Sequence, residues 1–129
     1  MKPSLTTLTL AALSLCAAAA YAGDSPQFRG PHRDGNFDET GLMKAWPESG
    51  PPAVFVAHGL GKGYSSVSVV KGKIYTTGMF DNDMGHFLIL DTQGAIEQNI
   101  PYGPETTNNQ APGPRSTPTM DDTRAYLVS

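Results

Sequence analysis

The sequence predicts an all-β chain of short antiparallel strands behind an extended arm. Three observations carry that expectation. The chain has 14 glycines and 11 prolines in 129 residues, well above the usual combined share of about 12%. Runs of β-branched and aromatic residues recur at short spacing between turn-forming clusters. Beyond residue 22, only Glu39 to Trp46 holds a helical period, with Leu42, Met43 and Trp46 on one face. This pattern excludes a helical bundle, a coiled coil and a multi-span membrane protein. The length allows one small domain at most.

Residues 1–22 read as an export signal. Lys2 supplies the positive start, Leu5 to Ala20 the apolar stretch, and Ala20-Tyr21-Ala22 the small-x-small cleavage pattern. Cleavage is expected before Gly23, with release to the periplasm or beyond. Leu5 to Ala22 is short and Ala-rich for a spanning helix, which wants about 20 strongly apolar residues. Leu15 stands before Cys16 where a lipidated cysteine wants a small neighbour, and no twin-arginine pair precedes the run. Cys16 is the only cysteine, so the exported part has no disulfide and no Cys-based zinc site. The net charge of −3 comes without any basic run. Lys71 and Lys73 flank a turn glycine and read as a solvated hairpin tip, so nucleic-acid binding is not expected.

Residues 23–52 form the arm. Pro26, Pro31, Pro47, Pro51 and Pro52 each fix φ and lack an amide donor, which bars the arm from a central strand. Phe28, Phe37 and Trp46 are expected to anchor it on something larger. Strand signals then follow in order. Ala53 to Ala57 is the first and Ser65 to Val70 the second, with Val67 and Val69 alternating against Ser66 and Ser68. Lys71-Gly72 makes a tight turn into Lys73 to Gly78. Asp81 to Gly85 is a polar loop, His86 to Leu90 a nearly all-apolar strand, and Asp91 to Gly94 a turn. Ala95 to Ile100 is a weak strand, and a Pro/Asn/Gln-rich loop runs from Pro101 to Pro114.

The pattern then restarts. Tyr64 to Tyr75 lies without gaps over Arg115 to Tyr126, an offset of 51. Ser65 matches Ser116 and Tyr75 matches Tyr126, while Ser66/Thr117, Ser68/Thr119 and Lys73/Arg124 are similar pairs. Both copies read strand, charged turn, strand. Four-stranded propeller blades repeat at about 40–50 residues.

Three segments resemble the N-terminal portion of PQQ-like (pyrroloquinoline quinone repeat) β-propeller proteins of the quinoprotein alcohol dehydrogenase-like superfamily. Pro26-Gln-Phe-Arg-Gly-Pro-His-Arg-Asp-Gly35 resembles the family opening W-x-Q-F-R-G-P-x-R-x-G. Gly61 to Ser66 with Lys73 to Gly78 resembles a first blade, and Gly113 to Thr119 the start of the next. Ser25 stands near the place of the opening Trp. Asp91 and Gly94 match the blade-closing D-x-x-G, but its Trp position falls near Gln98. The resemblance implies a partial propeller over residues 53–129, with blade 1 about 64–101 and the start of blade 2 about 114–129. It implies an incomplete piece of a longer chain, whose remaining blades are the first expected partners, with envelope proteins or a small ligand beyond them. The implied function is an exported, non-catalytic binding or scaffold surface. Alternatives are a periplasmic dehydrogenase oxidising alcohols or sugars with PQQ and Ca²⁺, and a factor for outer-membrane protein assembly.

No catalytic, cofactor-binding or metal residue is assigned from the sequence. Gly59-Leu-Gly-Lys-Gly63 precedes a strand signal rather than a helix, so it reads as a flexible lead into a strand and not a phosphate loop. Asp81, Asp83 and Asp91 lack the spacing of a Ca²⁺ loop and read as hairpin turns. His32, His58 and His86 are scattered and have no zinc spacing. Arg115, with Ser116, would open the innermost strand of the second blade. There it either pairs with a neighbouring blade or binds an anionic ligand. Arg29 and Arg33 are expected to tie the arm to the propeller rim.

Overall fold

The computed structural model describes residues 23–108 and 110–129; the expected signal, 1–22, lies outside them. The described chain is all-β. Strands β1 (Ser68–Val70), β2 (Lys73–Met79), β3 (Met84–Leu90) and β4 (Ile96–Pro104) form an antiparallel meander in the order β1-β2-β3-β4. Strands β5 (Thr119–Met120) and β6 (Ala125–Tyr126) form a second, two-stranded sheet.

Local chemistry sets each turn. Lys71 and Gly72 have φ of 50° and 71°, the paired positive values of a type I′ hairpin, whose twist suits the strands it joins. The Lys71 amide donates to Asp24 Oδ1 at 2.9 Å, so the arm holds the turn of the hairpin. Between β3 and β4, Asp91 Oδ1 accepts from the Gln93 and Ala95 amides, both at 2.9 Å. Gly94 supplies the left-handed residue there, with φ 84°.

The register pairs Thr76 with Leu88 and Ile74 with Leu90 on one face of the sheet, and Thr77 with Phe87 and Tyr75 with Ile89 on the other. Leu88, Leu90, Met79 and Phe87 are the buried hydrophobics. Tyr75 stacks on Phe87, centroids 5.9 Å apart. Fourteen large hydrophobic side chains stand exposed against those four buried ones. Their number sets the central feature of the fold: a large share of its bulky apolar side chains is not covered by the described chain itself.

The second hairpin reproduces the first. β5–β6 pairs Thr119 with Tyr126 and Met120 with Ala125. β1–β2 pairs Ser68 with Tyr75 and Val69 with Ile74, the same register 51 residues earlier. Equivalent positions also lie side by side. Ser65 Oγ donates to the Ser116 carbonyl at 2.9 Å. Lys71 approaches Asp122 at 3.9 Å. Val69 exchanges two backbone bonds with Ser25, and the amide of Met120, its equivalent, donates to Pro26 O at 2.8 Å. The buried Ser68 hydroxyl completes the seam by donating to the Pro118 carbonyl. The start of the arm thus staples both copies of the hairpin.

Three expectations are corrected. Ala53 to Ala57 is not a strand and pairs with none, and Val54 is 93% exposed. The last strand of the meander runs past Ile100 to Pro104, because an edge strand tolerates proline on its unpaired side. Glu39 to Trp46 is not helical. Phe28, Phe37 and Trp46 are 61%, 50% and 69% exposed on the described chain.

Candidate functional site

Glycines at a backbone crossing place the candidate site. A Cβ on Gly113 would lie 2.5 Å from Lys62 O, and one on Gly63 would lie 3.0 Å from Pro114 O. Only residues without side chains let the two repeats approach so closely. Tyr64 donates to Pro114 O at 2.8 Å and Gly113 to Thr106 O at 2.9 Å. The first bond fixes Pro114 against the strand line before β1, and the second closes Gly113 on Thr106. The loop then delivers Arg115 and Ser116 to a cleft of about 370 Å³, shared with Glu105, Thr106, Asn108, Gly113, Val128 and Ser129.

Arg115 is exposed and donates from Nη2 to the Ala111 carbonyl at 3.0 Å. Among the described residues it makes no ion pair. Glu105 accepts the Tyr102 hydroxyl. Burial, and then that bond to the carboxylate, pushes the Tyr102 hydroxyl far above its ordinary value. The cleft therefore presents one guanidinium and one carboxylate, an arrangement that holds a polar or zwitterionic group rather than a strongly anionic one. Ser116 is committed: its hydroxyl donates to the Val128 carbonyl. No imidazole bonds to it among the described residues.

The remaining residues do not converge on this cleft. Lys62, within the Gly59–Gly63 run, exchanges two backbone bonds with Met79, at 2.8 and 2.7 Å. Asp81 and Asp83 precede the seven-residue strand β3 and Asp91 follows it, which separates Asp83 from Asp91 by about 25 Å at the usual strand rise. His32 and His58 are exposed. His86 bonds through Nδ1 to Asn99 Oδ1 and lies against Phe80, centroids 4.5 Å apart. Among the described residues no three His, Cys, Asp or Glu side chains gather. These residues do not fit Ca²⁺, which takes about 6–8 oxygens. To PQQ, a tricarboxylate, the seam cleft would offer a single guanidinium, opposed by Glu105.

Arg29 and Arg33 tie the arm to itself instead of to a rim. Arg29 Nη2 donates to Asp34 O at 3.1 Å, and Arg33 Nε donates to Gln27 Oε1 at 2.6 Å. The sequence reading missed Glu105, Tyr102, Asp24 and Ser68. Asp24 and Ser68 act through segments distant in sequence, and no local spacing records that; Tyr102 and Glu105 pair three residues apart, but nothing in the residue pattern marks the pair.

Comparison with protein-family models, with curated proteins and with solved structures finds no match to this chain. Among the described residues no helix is long and apolar enough to cross a membrane.

Proposed function

We propose that the chain is part of an exported PQQ-like β-propeller repeat protein and acts as a non-catalytic binding or scaffold surface. In this reading the four-stranded sheet is a first blade and the β5–β6 hairpin begins the second. One observation carries it: the two hairpins share a register at an offset of 51 and touch through equivalent residues. Contact between equivalent positions is what rotation about a common axis produces when the innermost strands of successive blades line that axis. The exposed apolar side chains support the same reading, since a blade buries its faces against its neighbours. The arm, stapled across both inner strands, keeps the first two blades in phase.

The surface offered is the cleft at the seam, lined by the exposed Arg115 and the half-buried Glu105. Export rests on the Lys2, apolar-run and Ala20-x-Ala22 order. The functional test is titration of the chain with PQQ, with and without Ca²⁺, followed by absorbance and calorimetry. The expected result is no saturable binding. Micromolar, saturable uptake of PQQ would overturn the non-catalytic reading in favour of a dehydrogenase.

A further inference from the structure

The arm carries a second concavity, away from the seam cleft. Arg29 and Arg33 hold left-handed backbone, with φ of 64° and 60°, a conformation that crowds any residue with a Cβ. Such a conformation persists only where surrounding bonds impose it. Here the bonds are identifiable. Gly30 donates to Gln27 O at 3.1 Å, Arg33 to Gly30 O at 3.2 Å and Gly35 to Arg29 O at 3.0 Å. Each guanidinium is pinned once, Arg29 by Asp34 O and Arg33 by Gln27 Oε1. One anchoring bond leaves further N–H donors on each fork.

The carboxylate closest in sequence is diverted. Asp34 accepts from the Asn36 amide at 2.9 Å and from Asn36 Nδ2 at 3.1 Å. Neither arginine makes an ion pair among the described residues. Both line a concavity of about 240 Å³ with Gln27, Phe28 and Thr119. The far wall is fixed, because Met120, next to Thr119, donates to Pro26 O. Phe28, 61% exposed, adds an aromatic flank.

We infer that this concavity binds a phosphate or sulfate group. Two pre-positioned guanidinium groups without carboxylate partners suit an oxyanion with several acceptor oxygens. Thr119 offers a hydroxyl at the wall, and the Phe28 ring suits the organic part of an ester.

The test uses the full chain, titrated with sodium sulfate, sodium phosphate and phenyl phosphate against sodium chloride at matched ionic strength. The unfolding midpoint and the Arg Nε resonances are followed. A ligand of the folded arm raises the midpoint saturably, and this shift is readable whether the transition is sharp or broad. Sulfate and phosphate are expected to do so, and chloride is not. Tighter binding of phenyl phosphate would identify an ester as the ligand; equal binding would identify the free ion. Arg33→Gln is expected to weaken binding at least tenfold. Arg33→Lys, which keeps the charge but loses the fork, should weaken it severalfold, and Arg115→Gln should leave it unchanged. No saturable shift, the same shift with chloride, or equal loss in Arg115→Gln would overturn the assignment.

Discussion

Replacing Gly78 by alanine probes the join between the sheet and the strand line that precedes it. A Cβ on Gly78 would sit 1.7 Å from the Leu60 carbonyl oxygen and 2.8 Å from its carbon. No rotamer relieves that overlap, since an alanine methyl is fixed to the backbone. The Leu60 peptide must move by more than 1 Å, roughly the gap to ordinary van der Waals contact. That displacement pulls Lys62 away from Met79 and breaks the two backbone bonds between them, at 2.8 and 2.7 Å. At about 1 kcal/mol net for each bond, the local loss is about 2 kcal/mol. Met79 is 3% exposed, so its freed groups gain little from water and the figure is a lower bound. Amide hydrogen exchange reads the effect directly: the Met79 amide is expected to exchange about 30-fold faster. Gly103→Ala is the control, because its Cβ would meet nothing within 4 Å and its φ is not positive. It should be neutral or slightly stabilising. Unchanged protection at Met79 in Gly78→Ala, or a larger loss in Gly103→Ala, would refute the reasoning.

Three further outcomes follow from the same contacts. Ser68→Ala removes the donor to the buried Pro118 carbonyl and should cost about 1–3 kcal/mol, seen as faster exchange across β5–β6 with β2–β3 unchanged. Asp121 is held below its ordinary value by the Tyr126 hydroxyl and then by the Thr123 amide, with Arg124 adding to them. A depressed carboxylate stabilises above its unfolded value and loses that contribution as pH falls through the folded one, so the Thr123 and Arg124 amide resonances should move below about pH 4 and stay constant above it. N-terminal sequencing of the exported protein should find Gly23 first, whereas a start at Cys16 or a retained Met1 would contradict the export reading.

The strands legible in the sequence were those with dense β-formers between turn signals. Ile74 to Thr77 and His86 to Leu90 fall inside β2 and β3 for that reason. The same criterion misread Ala53 to Ala57, where propensity without a partner edge makes no strand. It also ended β4 too early, because Pro101 and Pro104 break only strands that need their amides. Two identities in the twelve aligned positions carried the repeat weakly, and the shared register of the hairpins gives it geometric content. At the site, Arg115 was visible as an isolated charge opening a strand pattern. Its companion Glu105 was not, since the 105–114 loop returns it to the cleft through backbone bonds that leave no periodic trace. Arg29 and Arg33 were visible as a motif, but their partners Gln27 and Asp34 lie within the same loop, and only the fold shows that.

The central claim is that this sheet and hairpin are successive repeats that rely on neighbouring repeats for burial. Thermal unfolding of the isolated chain, followed by circular dichroism with the oligomeric state measured alongside, tests it most directly. Four buried hydrophobics against fourteen exposed large ones, and repeats that generally need at least about 3 units for stability, predict a broad, weakly cooperative melt or self-association. A sharp two-state melt from a soluble monomer would show that these residues bury what they need by themselves, and would contradict the account.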